Sequence, residues 1–236
     1  MDQTQLAAKV SSMLEAKGLY FSYKKGIRLI EDLSFTVSSG EILAICGANG
    51  SGKSTVLDLL AGLIEPISGE ISLDGEVGQG YLLQNAAQLP LQGERYILGA
   101  TVREELELGL KTRKNEKGLI ELAQSWELAK LLDNPTENLS WGEKKRLAIA
   151  SLLAGSPKVF LMDEPFNGLD YPGTKSLIKD LSRIKKEGLK LVVVTHEPAL
   201  LKDICDMYLL LRPGEYLFTR DKKDLAALED FGVRPF

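Results

Sequence analysis

The sequence predicts an α/β fold: a core with a mostly parallel sheet, a smaller antiparallel β subdomain, and a helical subdomain inserted in the middle of the chain. Three observations predict it. Short alternating apolar runs over residues 13–35, broken at Gly18 and at Lys24-Lys25-Gly26, read as antiparallel strands. Continuous apolar runs at 41–46, 159–162 and 191–195 alternate with helical patterns, as strands buried on both faces of a parallel sheet do. Between them, residues 86–154 carry little strand signal but show helical stretches at 101–110, 116–132 and 142–153.

Residues 1–12 are polar, with a faint helical pattern at Leu6 and Val10, and read as a tail or a short extra helix. The first half of the core spans 13–85. Its buried strand 41–46 ends in glycines, a helix from Lys53 to about Ala61 closes at Gly62, and strands follow at 70–73 and 79–83. The helical insert covers about 86–154, with a turn at Asp133-Asn134-Pro135. The core resumes over 155–220 with the strand 159–162, a helix over 172–187 and the strand 191–195. The whole makes one large domain rather than two independent ones.

Composition narrows the partners. Apolar residues make up 44% and charged residues 26%, ordinary for a globular protein, and a net charge of −4 offers no basic field for nucleic acid, so no nucleic-acid partner is expected. The apolar runs at 191–194 and 208–211 are far too short to cross a bilayer, and the N-terminus has no basic start followed by an apolar stretch. Work at a membrane therefore needs a docked partner that spans it. Cys46 and Cys205 sit in apolar stretches without metal-ligand spacing and read as buried, reduced thiols.

The chemistry begins at Gly47-Ala48-Asn49-Gly50-Ser51-Gly52-Lys53-Ser54, which fits GxxxxGK[ST] and is followed by Thr55. Phosphate oxygens need several donors at close range; glycines let backbone N–H groups approach, and a helix starting near Lys53 aims its positive end at the anion. Lys53 then reaches the β- and γ-phosphates and the Ser54 hydroxyl ligates Mg²⁺. A random chain of this length matches the pattern on the order of once in a hundred, and a match between a buried strand and a helix is rarer still, so the functional reading wins. Its partner is Val159-Phe160-Leu161-Met162-Asp163-Glu164, an apolar strand that delivers two carboxylates to one end of the sheet. Asp163 is the Mg²⁺ carboxylate, and Glu164 is positioned to polarise an attacking water as general base.

Later residues make the pattern specific. Leu139-Ser140-Trp141-Gly142-Glu143 resembles the LSGGQ signature of the ATP-binding cassette (ABC) family; Gln84, after Tyr81-Leu82-Leu83, resembles its Q-loop; Asn167-Gly168-Leu169-Asp170 its D-loop; Thr195-His196 its H-loop. Tyr23 matches the aromatic that stacks on adenine. All stand in family order across nearly the whole chain. The resemblance implies a P-loop ATPase working as a head-to-tail pair with a second ABC subunit, in a homodimer or a heterodimer. ATP on the 47–55 loop of one subunit would be closed over by Ser140, Trp141, Gly142 and Glu143 of the other. It also implies that His196 contacts the γ-phosphate, that Gln84 is a Mg²⁺ ligand passing motion to an integral membrane subunit, and that the protein sits on the cytoplasmic face of the membrane.

Two departures stand out: Trp141 replaces the first glycine of the signature and Glu143 the usual glutamine, which would put a bulky ring and an extra anion near the phosphate. Gln84-Asn85 followed by Thr101-Val102-Arg103-Glu104-Glu105-Leu106 is similar to importers of the energy-coupling-factor type, which take up vitamins, cobalt or nickel. The segment between, 86–100, is longer than theirs and lacks the proline after QN. An ABC exporter subunit and a soluble ABC ATPase remodelling nucleic-acid complexes are the alternatives; the latter usually carries a second cassette, a coiled-coil insertion or a basic extension, absent here.

Overall fold

Ten strands and six α-helices are described in this computed structural model, which covers residues 12–24, 29–91, 97–110 and 116–234. Apart from Ser12, the tail expected over residues 1–12 lies outside them. A four-stranded antiparallel sheet, in the order β2-β1-β4-β5, is built from β1 (Met13–Phe21), β2 (Ile30–Ser38), β4 (Ser68–Leu73) and β5 (Glu76–Val77). The larger sheet, in the order β10-β9-β3-β8-β7-β6, uses β3 (Ile42–Gly47), β6 (Ala86–Leu89), β7 (Val159–Asp163), β8 (Lys190–Val194), β9 (Met207–Arg212) and β10 (Glu215–Thr219). All its pairings are parallel except that of β9 with β10.

The apolar runs are continuous because both faces of this sheet are covered. Along β3, Ile42, Ala44 and Cys46 belong to one core, and Leu43 and Ile45 to the other. The second core lies under α1 (Lys53–Leu60) and the antiparallel sheet. The first lies under α3 (Val102–Gly109), α4 (Glu116–Ser125), α5 (Trp141–Ala154) and α6 (Tyr171–Lys186).

The stretch 79–89 differs from the sequence expectation. Gln79–Asn85 is a helix, α2, not a strand, and the strand comes afterwards as Ala86–Leu89. Its residues pair in register with β7, from Ala86 against Val159 to Leu89 against Met162. Residues 86–89 thus belong to the core sheet rather than to the helical insert. Ala-Ala-Gln-Leu has no β-branched residue and little apolar alternation, so pairing with β7, not local propensity, makes it a strand. The expected helix over 116–132 stops at Ser125, where the chain turns through Glu127 at φ 58° into short 3-10 turns.

The Thr-Val-Arg-Glu-Glu sequence is a clamp at the entry to the insert. Thr101 caps α3 by accepting the Glu104 N–H, and the Glu104 carboxylate accepts the N–H of Ala100. The buried Glu105 carboxylate accepts the N–H groups of both Leu98 and Gly99 at 2.8 Å. A Cβ on Gly99 would lie 2.4 Å from the Glu105 nitrogen, so only glycine fits beneath that helix.

Candidate functional site

Five parallel strands point their carboxyl ends the same way, and ligands of open α/β sheets bind at that end. Asp163 pairs with Val194, while Ile45 pairs with that same residue from the other side. The loop after β3, the acids after β7 and the Thr195-His196 turn after β8 therefore meet. No side chain fits at the root of the loop: a Cβ on Gly47 would sit 2.3 Å from the Leu211 carbonyl oxygen. Gly50 and Gly52 hold φ of 80° and 100°, which glycine adopts without strain. No side chain caps the first turn of α1, and none of its first-turn residues is acidic, so its amides are left for an anion. Asn49 and Gly50 are exposed at the loop's crest, Ser51 and Thr55 are buried beneath it, and Lys53 Nζ donates to the carbonyls of Gly47 and Ala48 at 2.8 and 2.9 Å.

The Ser54 hydroxyl donates to Asp163 Oδ2 at 2.7 Å, joining the loop to the acid strand. Burial pushes the Asp163 carboxyl above its ordinary value, and neither the Ser54 hydrogen bond nor the Lys53 charge fully offsets it; Asp58 adds to the upward push. Two hard oxygen donors at such a spacing are what Mg²⁺ takes, and a cation there would relieve the buried charge. Glu164 follows at φ 48°, a left-handed backbone that costs a non-glycine residue about 1–3 kcal/mol. That turn swings its carboxylate back: Oε2 lies 2.8 Å from His196 Nδ1 and 3.3 Å from the His196 backbone nitrogen. The carboxylate orients the imidazole through its Nδ1–H.

Tyr23 is 66% exposed, lies edge-on to Phe21 with ring centres 4.9 Å apart, and its hydroxyl is 3.2 Å from Thr55 Oγ1. An aromatic face is thus open beside the far end of the phosphate loop, where a base would extend. Sequence reading missed Gln88 and Asp58. Gln88 Nε2 donates to Asp58 Oδ1 at 3.1 Å, and Gln88 Oε1 is buried without a hydrogen-bond partner among the described residues. The available signal was the spacing of Ser54 and Asp58, one helical turn apart on α1.

Gln84 does not join the site. It is exposed on α2, and the neighbouring Asn85 carbonyl accepts the N–H of Lys158, at the start of β7. Four residues of β6 then run toward the Asp163 end, so Gln84 lies at the opposite, amino-terminal end of the strands and is no Mg²⁺ ligand beside Asp163. The error came from reading α2 as the strand.

The signature lies apart from the loop, at the start of α5. Ser140 caps this helix by accepting the Glu143 N–H, while Glu143 Oε2 accepts the Ser140 N–H at 2.8 Å and its hydroxyl at 2.7 Å. The hydrogen bonds from Ser140 hold the Glu143 carboxyl below its ordinary value. Glu143 is therefore engaged by its own helix cap, not presented as a free anion. Trp141 covers Gly168: a Cβ there would lie 2.1 Å from the indole Nε1. The indole thus packs on the chain's own D-loop segment and keeps 39% of its surface exposed. Gly142 has open space around it, and Asp170 caps α6 through the Gly173 N–H at 2.8 Å.

A glycine cradle at the end of β3, a Ser–Asp pair joining it to β7 and a Glu–His pair behind it define a P-loop nucleoside triphosphatase. A signature helix and a D-loop on one further face narrow this to the ABC type. Comparison agrees: the family model for the ABC transporter matches residues 30–167. The Cobalt import ATP-binding protein CbiO of Rhodobacter capsulatus is 35% identical over 242 residues, covering 96% of this chain and 86% of that protein. The Energy-coupling factor transporter ATP-binding protein EcfA of Methanocaldococcus jannaschii is 31% identical over 223 residues, covering 87% and 77%. The solved structure of cbiO1 from Clostridium perfringens, part of the ABC transporter complex cbiONQ, has a TM-score of 0.84 at 28% identity and covers 93% of each chain. The chain belongs to the ABC transporter ATP-binding family, whose members are ATPases.

Proposed function

We propose that this chain is the ATP-hydrolysing motor of an importer of the energy-coupling-factor type, moving a metal ion or a vitamin through an integral membrane partner. The bond between Ser54 and Asp163 carries the reading, because it joins the phosphate loop to the acid strand at one oxygen-lined point. Ser54 and Asp163 would hold Mg²⁺, which supplies charge neutralisation to the β- and γ-phosphates. The chain's own groups do the rest. Backbone N–H groups of residues 49–55 and Lys53 bind the phosphates, Tyr23 stacks on adenine, and Glu164 takes the proton of the attacking water. His196, oriented by Glu164, faces the γ-phosphate.

Ser140 and Gly142 close the site from a second ABC subunit, the same chain or a relative, with the helix start of α5 directed at the γ-phosphate. The membrane partner docks where the insert meets the core. There Leu91 and Leu98 are exposed large apolar residues, 49% and 82%, flanking the junction between β6 and α3. No helix among the described residues is long and apolar enough to cross a membrane; the chain sits on the cytoplasmic face through that partner. Import is favoured over export by the relatives named for cobalt import and for energy coupling.

Gentle detergent extraction of native cells, followed by affinity capture of the tagged chain, tests this. Expected are an integral membrane protein and a second ATPase, with ATP-dependent uptake of cobalt, nickel or a vitamin in vesicles holding the complex. Recovery with ribosomes or DNA, and none with membrane, would overturn it.

A further inference from the structure

The last described segment of the chain bears directly on the phosphate loop. Lys222–Phe231 is a run of 3-10 turns whose Leu225 and Leu228, with Val233 beyond them, are buried in the core. Gly232 ends it at φ 70°, with its N–H on the Glu229 carbonyl and the Val233 N–H on that of Leu228. The Arg212 guanidinium, at the end of β9, lies 5.4 Å from the centre of the Phe231 ring. So anchored, the segment reaches Ala48. The Phe231 carbonyl accepts the Ala48 N–H at 3.1 Å, and a Cβ on Gly232 would lie 2.9 Å from the Ala48 Cβ.

Ala48 is the second residue of the loop, directly after Gly47, which already abuts Leu211. A backbone cradle binds phosphate well only if its N–H groups converge before the anion arrives. Holding the Ala48 amide from outside fixes the peptide plane at the loop's entrance and sets the course of the residues that follow. We propose that the C-terminal segment is a positioning element of the nucleotide site: Phe231 and Gly232 hold Ala48, so docking of this segment and binding of nucleotide phosphates are coupled. The inference rests on reading residues 47–55 as the phosphate cradle. Coupling is reciprocal, so nucleotide tightens the segment as much as the segment tightens nucleotide.

Gly232→Ala tests it, with Gly75→Ala as the strain-matched control: Gly75 has φ 83° and nothing within 4 Å of its would-be Cβ. Calorimetry with ATP and ADP should show affinity falling roughly tenfold in Gly232→Ala, within the usual range of couplings, and unchanged in Gly75→Ala. In the assembled transporter KM should rise with kcat little altered. Adding Ala48→Gly, which removes the atom the new methyl meets, should restore part of the loss relative to Ala48→Gly alone. In the wild-type chain, which needs no variant to fold, ADP should slow hydrogen exchange across 222–233. Equal affinities for Gly232→Ala and Gly75→Ala, or exchange in that segment indifferent to ADP, would overturn the proposal. Lys53→Ala separates the two readings. If it binds nucleotide normally, the cradle itself is wrong; if it does not while Gly232→Ala does, only the strut is.

Discussion

The two ends of the large sheet hold carboxylates in opposite electrostatic circumstances, one half-buried and one buried. At the amino-terminal end, Asp74 lies in the turn between β4 and β5 and meets the buried Lys190 Nζ at 2.9 Å and Lys158 Nζ at 3.4 Å, with Ser12 donating at 3.2 Å. Burial works against its charge, but the hydrogen bond and charge of Lys190, then Ser12 and Lys158, hold its carboxyl below the ordinary value. At the carboxyl-terminal end, Asp163 has Ser54 and a more distant Lys53, and burial wins. One acid is satisfied by its own chain and ties the antiparallel sheet to the core. The other is left short of positive charge, and Glu164 beside it sits in a strained backbone. Fold-holding charges are paired within the chain; reacting ones are kept wanting a partner from outside.

Substitutions can break or sharpen that contrast. The largest effect belongs to Glu164→Gln, which should lower turnover by about 10²–10⁴-fold while ATP affinity stays and an ATP-dependent dimer accumulates. Steady-state hydrolysis at the wild-type rate would remove Glu164 as the base. At the other end, Asp74→Ala strands the buried Lys190 and should cost about 3 kcal/mol, a fall in melting temperature of about 10 °C. The same contact carries a pH signature. A depressed carboxyl pKa contributes stability above its unfolded value, near 3.8, and loses it as pH falls through the lower folded one, so wild type should lose more stability than Asp74→Ala below about pH 4.

Asp163→Asn reverses the sign. Removing a charge that burial disfavours should raise thermal stability slightly, while Mg²⁺-dependent hydrolysis is lost. Destabilisation in both Asp163→Asn and Asp74→Ala would collapse the distinction between the ends. Tyr23→Ala, at the rim of the working end, should weaken ATP and ADP alike, by up to about tenfold, with calorimetry as the check. The smallest effect is expected from Gln84→Ala, at the structural end. Nucleotide affinity and turnover should match wild type, and a large loss of turnover would show that Gln84 reaches the nucleotide after all.

Much of the working end is legible in the chain because its chemistry is written in short contiguous runs. Residues 47–55 set the loop, Asp163-Glu164 follow directly on an apolar strand, and Ser140 and Asp170 carry their cap roles in local spacing. The residue order also determines the α/β class, since buried runs and helical periods alternate regardless of how they pack. Tertiary structure decided what depends on contacts between distant segments. Only pairing with residues 159–162 makes a strand of Ala86–Leu89, and that puts Gln84 at the far end of the strands from Asp163. Their place in a motif puts Trp141 and Glu143 near a neighbour's phosphate, but it does not say what each side chain touches within its own chain. Packing turned the indole onto Gly168, and an available cap drew the carboxylate back to Ser140. A side chain takes the nearest partner the fold offers, and sequence spacing does not list partners more than a few residues away; the meeting of Phe231 with Ala48 is such a contact.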